Sequence, residues 1–256
     1  MEYNNYKTLK TEVNVPGILE LNLNIPDKLN AWNNEMINEM YDITTKLKGD
    51  SEIKAVVLSG EGTKGFCGGL DVRNVFTPEV VNSIDLFYDA QCKMGNTIIN
   101  MRQMPQIIIA ACFGACVGGG FIYPMASDIR IIADDVKFCA PFVKIKMGGA
   151  DLGTSYFLPR QIGAGVAFDI LLTGRFMLAD EAMRLGFASE CVERTKLKEA
   201  AMAKAKEIAA VDATVLRLTK EALNINLDLG SLESCVLVEH RNQQMIISKL
   251  WRNQGK

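Results

Sequence analysis

Twice in this chain a short apolar run ends in a cluster of glycines and then gives way to a helical pattern, and this repetition limits the fold more than any other feature. The first run, 53–59, leads into Gly60-Glu61-Gly62-Thr63-Lys64-Gly65-Phe66-Cys67-Gly68-Gly69-Leu70-Asp71. The second, 107–112, leads into Gly114-Ala115-Cys116-Val117-Gly118-Gly119-Gly120 and a short helix. Short apolar runs bounded by turn residues read as buried strands, so strand, glycine loop and helix recur in order, the pattern of an α/β core. Another strand is expected at 18–23, ending at the turn-like Asn24-Ile25-Pro26-Asp27, with a helix over 33–47 on Met36, Ile37, Met40, Tyr41 and Leu47. Further strands are expected at 128–133 and 136–139. One long helix is expected from 78 to 101, and others at 179–185, 197–209, 213–223 and 232–249, so the C-terminal third reads as helical. No Ser/Pro-rich linker or fixed-period repeat divides the chain.

Charge and cysteine usage remove several function classes. With 28 basic against 30 acidic residues, the chain has no surplus positive field for a nucleic-acid backbone or an anionic bilayer, so neither partner is expected. No apolar run is long enough to span a membrane. Seven cysteines without a C-x-x-C pair, behind an N-terminus lacking a signal-peptide run, place the chain in a reducing, cytoplasmic compartment. The single histidine, His240, argues against a serine– or cysteine–histidine centre and leaves no evident metal cluster. It reads as a surface or subunit-contact residue on the last helix. Chemistry is left to carboxylates, tyrosines, thiols and backbone groups.

Glycine loops after strands are suited to presenting backbone N–H groups to a ligand oxygen, because no Cβ blocks the approach. The alternative is that Gly118-Gly119-Gly120 only lets a strand and a helix pack closely. Neither the phosphate-loop string G-x-x-x-x-G-K-[ST] nor the dinucleotide fingerprint G-x-G-x-x-G follows either strand. Stabilisation of a smaller anion, such as an enolate, remains.

Several strings resemble, in the right order, the motifs of the crotonase (enoyl-CoA hydratase/isomerase) superfamily. They are Asn24-Ile25-Pro26-Asp27-Lys28-Leu29-Asn30-Ala31, Gly65-Phe66-Cys67-Gly68-Gly69-Leu70-Asp71, Ala110-Ala111-Cys112-Phe113-Gly114-Ala115-Cys116-Val117-Gly118-Gly119-Gly120 and Leu158-Pro159-Arg160-Gln161-Ile162-Gly163. Leu172-Thr173-Gly174-Arg175 and Ala179-Asp180-Glu181-Ala182 followed by Gly186 continue the likeness, which covers roughly residues 15 to 245. The resemblance implies an α/β, crotonase-like spiral of ββα repeats over residues 1–195, holding an acyl-CoA site. It implies a C-terminal helical trimerisation region over 196–256, giving a homotrimer or a dimer of trimers. It also implies a coenzyme A thioester as substrate and no resident cofactor or metal. The thioester oxygen would lie between the amides of Leu70 and Gly119, each such donor typically contributing ~3 kcal/mol to the transition state. Lys28, Leu29, Ala31, Gly68, Gly69, Asp71, Gly118, Ile122, Phe142 and Tyr156 fall at substrate-binding positions.

The likeness is broken at two acids. Hydratases of the family carry glutamates where this chain has Ile122 and Phe142. Asp151, in Gly148-Gly149-Ala150-Asp151-Leu152-Gly153-Thr154, stands where dienoyl-CoA isomerases of the family place an aspartate base. Its small, apolar neighbours suit a carboxylate kept from water; alternatively it caps a helix beginning near Thr154. Tyr156 and Tyr123 are further proton donors or packing residues. Cys67 and Cys139 read as small apolar fillers beside the pocket. Asp71 reads as a loop-bonding residue or a coenzyme contact, and Asp85, Tyr88 and Asp89 as a solvated helix face or a cover over the acyl group. The chain ends before the family's usual last segment, a role that Lys28 and Lys64 or a neighbouring subunit would take over. Apolar positions Val215, Leu216, Leu218, Leu223, Ile225, Val236, Leu237, Met245, Ile246 and Ile247 serve either self-association or internal packing. The expected activity is hydration or double-bond shift of an unsaturated acyl-CoA, with conjugated, cyclic and branched acyl groups as the candidates. Alternatives on the same site are thioester hydrolysis, decarboxylation, carbon–carbon cleavage, or binding without catalysis.

Overall fold

Strands β1 (Leu9–Val15) and β2 (Ile18–Leu23) form an antiparallel hairpin in a computed structural model that describes Tyr3 and residues 5–254. After a 3-10 turn, Pro26–Lys28, helix α1 (Asn34–Leu47) begins at Asn33, whose side chain accepts from the Met36 amide. Its buried residues Met36, Ile37, Met40, Ile43 and Leu47 recur at helical spacing on one face. β3 (Ala55–Gly60) returns parallel to β2. The helix expected over 78–101 is broken: after the short α2 (Val72–Val75) come α3 (Pro78–Val81) and α4 (Ile84–Gln103). Ser83 lies between them in extended backbone, and its hydroxyl accepts from Leu86 N–H, starting α4 afresh.

β4 (Ile107–Cys112) lies parallel to β3; β5 (Ala115–Val117) and α5 (Gly119–Ala126) follow, and β6 (Ile129–Ala133) pairs parallel with β4. β7 (Lys137–Cys139) joins β5 in a second sheet. Helices α6 (Thr154–Ile162) and α7 (Ala164–Thr173) precede β8 (Phe176–Leu178), α8 (Ala179–Arg184) and β9 (Glu190–Val192). The large sheet runs β1-β2-β3-β4-β6-β9 and the small one β5-β7-β8. This is the α/β core expected, ending in the helical C-terminal third of α9 (Leu197–Ala209), α10 (Ala213–Asn226) and α11 (Leu232–Gln254).

The division expected at 195/196 falls just before α9, and α9 packs on the sheet. Leu197, Ala201 and Ala205 are buried against Ile18, Ala55, Ile109 and Ile131. α10 is fixed by Lys220, only 4% exposed, which donates to Met101 O (3.1 Å) and Gln106 O (2.7 Å) and pairs with Asp128 Oδ2 (2.7 Å). Burial pushes its ammonium below the usual lysine range, with Asp128 opposing that shift. α11 packs chiefly on α10. Of the apolar positions singled out there, Leu218 is buried, whereas Leu223, Leu237, Met245 and Ile247 are exposed. His240 is exposed on α11. Among the described residues no helix is long and apolar enough to cross a membrane.

Candidate active site

The loop after β2 holds the first glycine loop in place. Asn30 is fully buried and left-handed, φ +51°, a conformation that asparagine tolerates better than most residues. Its Oδ1 accepts from Ile25 N–H (2.9 Å), and its Nδ2 donates to Glu61 O (2.9 Å) and Phe66 O (3.0 Å). Gly68 N–H donates to Leu29 O (2.7 Å) and Trp32 N–H to Gly69 O (2.7 Å), so residues 29–32 run beside residues 68–70.

The two glycine loops meet through main-chain pairing. Phe66 N–H donates to Phe113 O (2.9 Å), Cys67 N–H to Ala115 O (3.1 Å) and Val117 N–H to Cys67 O (2.9 Å). Gly69 then takes φ +91°, and a Cβ there would lie 2.7 Å from Val117 O and 3.3 Å from the Gly119 nitrogen. Glycine is required on both grounds. Beyond the bend come the Leu70 amide and, at the first turn of α5, the Gly119 amide. Neither N–H has an intramolecular acceptor among the described residues. Two unsatisfied donors on adjoining turns, one at a helix N-terminus, can hold an oxyanion.

The residues around these donors divide into two groups. Lys28 is exposed, 3.8 Å from Asp71, and Asp71 accepts from the Asn74 amide and side chain, capping α2. That favours the loop-bonding reading of Asp71. Leu29 packs on Gly68, where a Cβ would lie 3.0 Å from it. Ala31 N–H donates to Lys28 O (3.1 Å) within the same turn. Phe142 is buried and approaches Gly118, whose Cβ would lie 3.8 Å from its ring. Ile122 is buried in α5. Cys67 is buried, its thiol pushed up to about 12 by burial, and it bonds Asn30 O (3.1 Å). Cys139 is also buried, which raises its thiol; Asp85, Tyr88 and Asp89 are exposed on α4.

Asp151 is half-buried rather than enclosed in an apolar pocket. Its Oδ1 accepts from Gln91 Nε2 (2.9 Å) of α4 and from Leu152 N–H (2.9 Å). It does not cap α6: the N-cap there is Gly153, with no side-chain cap. Tyr156, expected at a substrate-binding position, lies on α6. Its hydroxyl donates to Asp228 (2.7 Å), and it lines a cavity of about 800 Å³ between α4, α6 and α10 that none of the glycine-loop residues line. Burial first, and Asp228 second, hold its phenol above the usual range. Tyr123 is buried against Trp32, ring centroids 4.4 Å apart, its phenol pushed well up by burial.

Three contributors escaped sequence reasoning. Asn30 and Trp32 stood in or beside a quoted motif, yet nothing local marks a side chain that bridges to a loop 36 residues away. Gln91 carries no local signal at all.

The comparisons with known proteins agree with this architecture. The family model described as enoyl-CoA hydratase/isomerase matches residues 14–256. The chain is similar to echA12 of Mycobacterium bovis, named a probable enoyl-CoA hydratase, with 32% identity over 90% of this chain and 82% of that one. It is 30% identical to the human mitochondrial Delta(3,5)-Delta(2,4)-dienoyl-CoA isomerase over 94% of this chain and 76% of that one. A Thermobifida fusca protein described as an enoyl-CoA hydratase and solved in complex with CoA superposes with a TM-score of 0.85 at 25% identity. That match covers 96% of this chain and 95% of the other.

Proposed function

The chain belongs to the enoyl-CoA hydratase/isomerase family, the crotonase superfamily, and from that premise we propose that it shifts a double bond in an unsaturated acyl-CoA held between the Leu70 and Gly119 amides. The observation that carries this reading is the pair of amides without acceptors on adjoining glycine turns. Donated to the thioester oxygen, they stabilise the negative charge that gathers there as a carbon of the conjugated chain loses its proton, about 3 kcal/mol for each donor. Asp151 takes that proton: the C–H bond breaks and its electron pair enters the enolate. The Asp151 O–H then gives the proton back at another carbon of the same conjugated system. Nothing is gained or lost overall, so no co-reactant is needed. Gln91 and the Leu152 amide hold the carboxylate in one orientation between the two transfers.

Ile122 and Phe142 favour a shift over water addition, since neither side chain can hold or activate water. The family likeness to a dienoyl-CoA isomerase and to a CoA-bound structure supports the same substrate class. Exposed Lys28 and Lys64 can meet the coenzyme phosphates. The exposed apolar residues of α10 and α11 support self-association as a trimer or a pair of trimers.

The test is Asp151→Asn assayed against a panel of conjugated, branched and cyclic unsaturated acyl-CoAs by enoyl absorbance. The expected result is a fall in kcat of about 10²- to 10⁴-fold with thioester binding retained. Unchanged turnover removes Asp151 from the chemistry. A product one water heavier, or free CoA, assigns hydration or hydrolysis instead.

A further inference from the structure

Trp32 touches the supports of both amide donors, and no other residue described above does so through both main chain and side chain. Its main chain brackets Leu70: Trp32 N–H donates to Gly69 O (2.7 Å), and Asp71 N–H donates to Trp32 O (2.9 Å). The carbonyl before the Leu70 amide and the amide after it are therefore both fixed by one residue. Its indole lies against the second donor. A methyl placed on Gly119 would come within 2.7 to 2.8 Å of three ring carbons, so the ring fills the space where a side chain would otherwise be. The indole also packs against Tyr123 of the same helix, α5, with ring centroids 4.4 Å apart and planes tilted by 37°. Trp32 is 2% exposed, with its indole N–H beside the Cys67 thiol.

From this geometry we infer that Trp32 is the positioning residue that sets the separation of the Leu70 and Gly119 donors. The inference rests on the reading of those two amides as an oxyanion hole. Leu70 belongs to a loop after β3 and Gly119 to a helix after β5, and their spacing must hold to a few tenths of an ångström for both to reach one oxygen. Main-chain bonds between the loops fix their register. The thickness of the indole fixes how far α5 can approach. A smaller side chain lets α5 settle toward the loop or leaves a void that loosens it; either way the two N–H groups no longer converge.

The experiment compares wild type with Trp32→Phe and Trp32→Leu, using a crotonyl-CoA thioester and the matching S-alkyl-CoA thioether, which lacks the carbonyl oxygen, as probes. Calorimetric affinities for both are measured, together with the infrared carbonyl stretch of the bound, carbon-13-labelled thioester. In the wild type the thioester binds more tightly than the thioether, and its carbonyl stretch moves to lower frequency. In Trp32→Leu that preference is expected to fall about tenfold and the frequency to return toward its value in water, while thioether affinity holds. Trp32→Phe, which keeps a flat ring against Gly119, is expected to retain part of the shift. A purely structural role would lower the two affinities together and leave the frequency of the remaining bound thioester unmoved, and that result overturns the inference. An unchanged preference and frequency in a folded Trp32→Leu protein overturns it as well, with the amide pair still standing. A wild type that shows neither preference nor frequency shift removes the oxyanion hole itself and this inference with it.

Discussion

Gly69 and Gly119 approach so closely that a methyl group on the first would lie 3.3 Å from the main-chain nitrogen of the second. The contact brings a loop and a helix from separate parts of the chain to one point.

Gly69→Ala should therefore damage catalysis more than stability. The residue sits at φ +91°, where an L side chain costs roughly 1–2 kcal/mol, and its Cβ would meet Val117 O at 2.7 Å. Moving the loop to relieve that contact displaces the Leu70 donor. The expected fall in kcat is about 10²-fold or more, against a thermal midpoint lowered by a few degrees. Full activity in a folded variant would show that the Leu70 amide takes no part.

Asn30→Gly should be felt in both quantities. Glycine accepts φ +51° without strain, so the substitution isolates the loss of three hydrogen bonds in a site from which water is excluded. At ~1 kcal/mol for each bond, the stability loss is about 3 kcal/mol, or roughly 6–12 °C in thermal midpoint for a chain of this size. A midpoint within a degree of wild type would mean that the loop is held by other contacts.

Alkaline stability should depend on two tyrosine–carboxylate pairs near the N-terminus. Tyr3 donates to Asp50 (2.6 Å) and Tyr6 to Asp42 (2.7 Å), and burial, followed by these carboxylates, raises both phenols above their ordinary value. A raised folded value means that the unfolded chain gives up its phenolic protons first. The contribution is therefore whole below about pH 10 and is lost as pH rises above that toward the folded values. Urea midpoints measured from pH 8 to 11 should drop in this window. The double variant Tyr3→Phe/Tyr6→Phe should show a shallower drop.

Thiol labelling should separate the seven cysteines into two sets. Cys67, Cys112, Cys116 and Cys139 are buried, with Cys67, Cys116 and Cys139 raised by burial, whereas Cys92, Cys191 and Cys235 are partly accessible. Under native conditions at pH 8 a small disulfide reagent should reach no more than the three accessible thiols, and all of them in denaturant. Rapid native labelling of Cys67 would contradict the enclosed loop described above.

Much of the scaffold was legible in sequence because its strands are short apolar runs and its glycines stand where two loops must touch. The positions of β2, β3 and β4, and the helices α9 to α11, follow directly from those patterns. The edge elements were not legible. β1 has only Leu9 buried and no regular alternation after it, while β5, β8 and β9 are three residues each, too short to carry a period. The break at Ser83 was hidden because the apolar spacing continues across it. At the site, glycine marked through its own chemistry the two loops that lie against each other. The pairings of Gln91 with Asp151 and of Tyr156 with Asp228 carried no signal, because the partners are far apart in sequence and meet only in three dimensions.

The order of strands in the larger sheet, all parallel beyond the first hairpin, has a kinetic consequence. Parallel neighbours cannot be joined by a tight turn, so each pairing waits for a long stretch of intervening chain to come to order. The donor pair spans the closure of β4 onto β3 and cannot exist in any fragment that lacks it. A refolding experiment should see helical signal return first and ligand recognition last, with the binding-competent state emerging only when β5 zips onto the preceding loop.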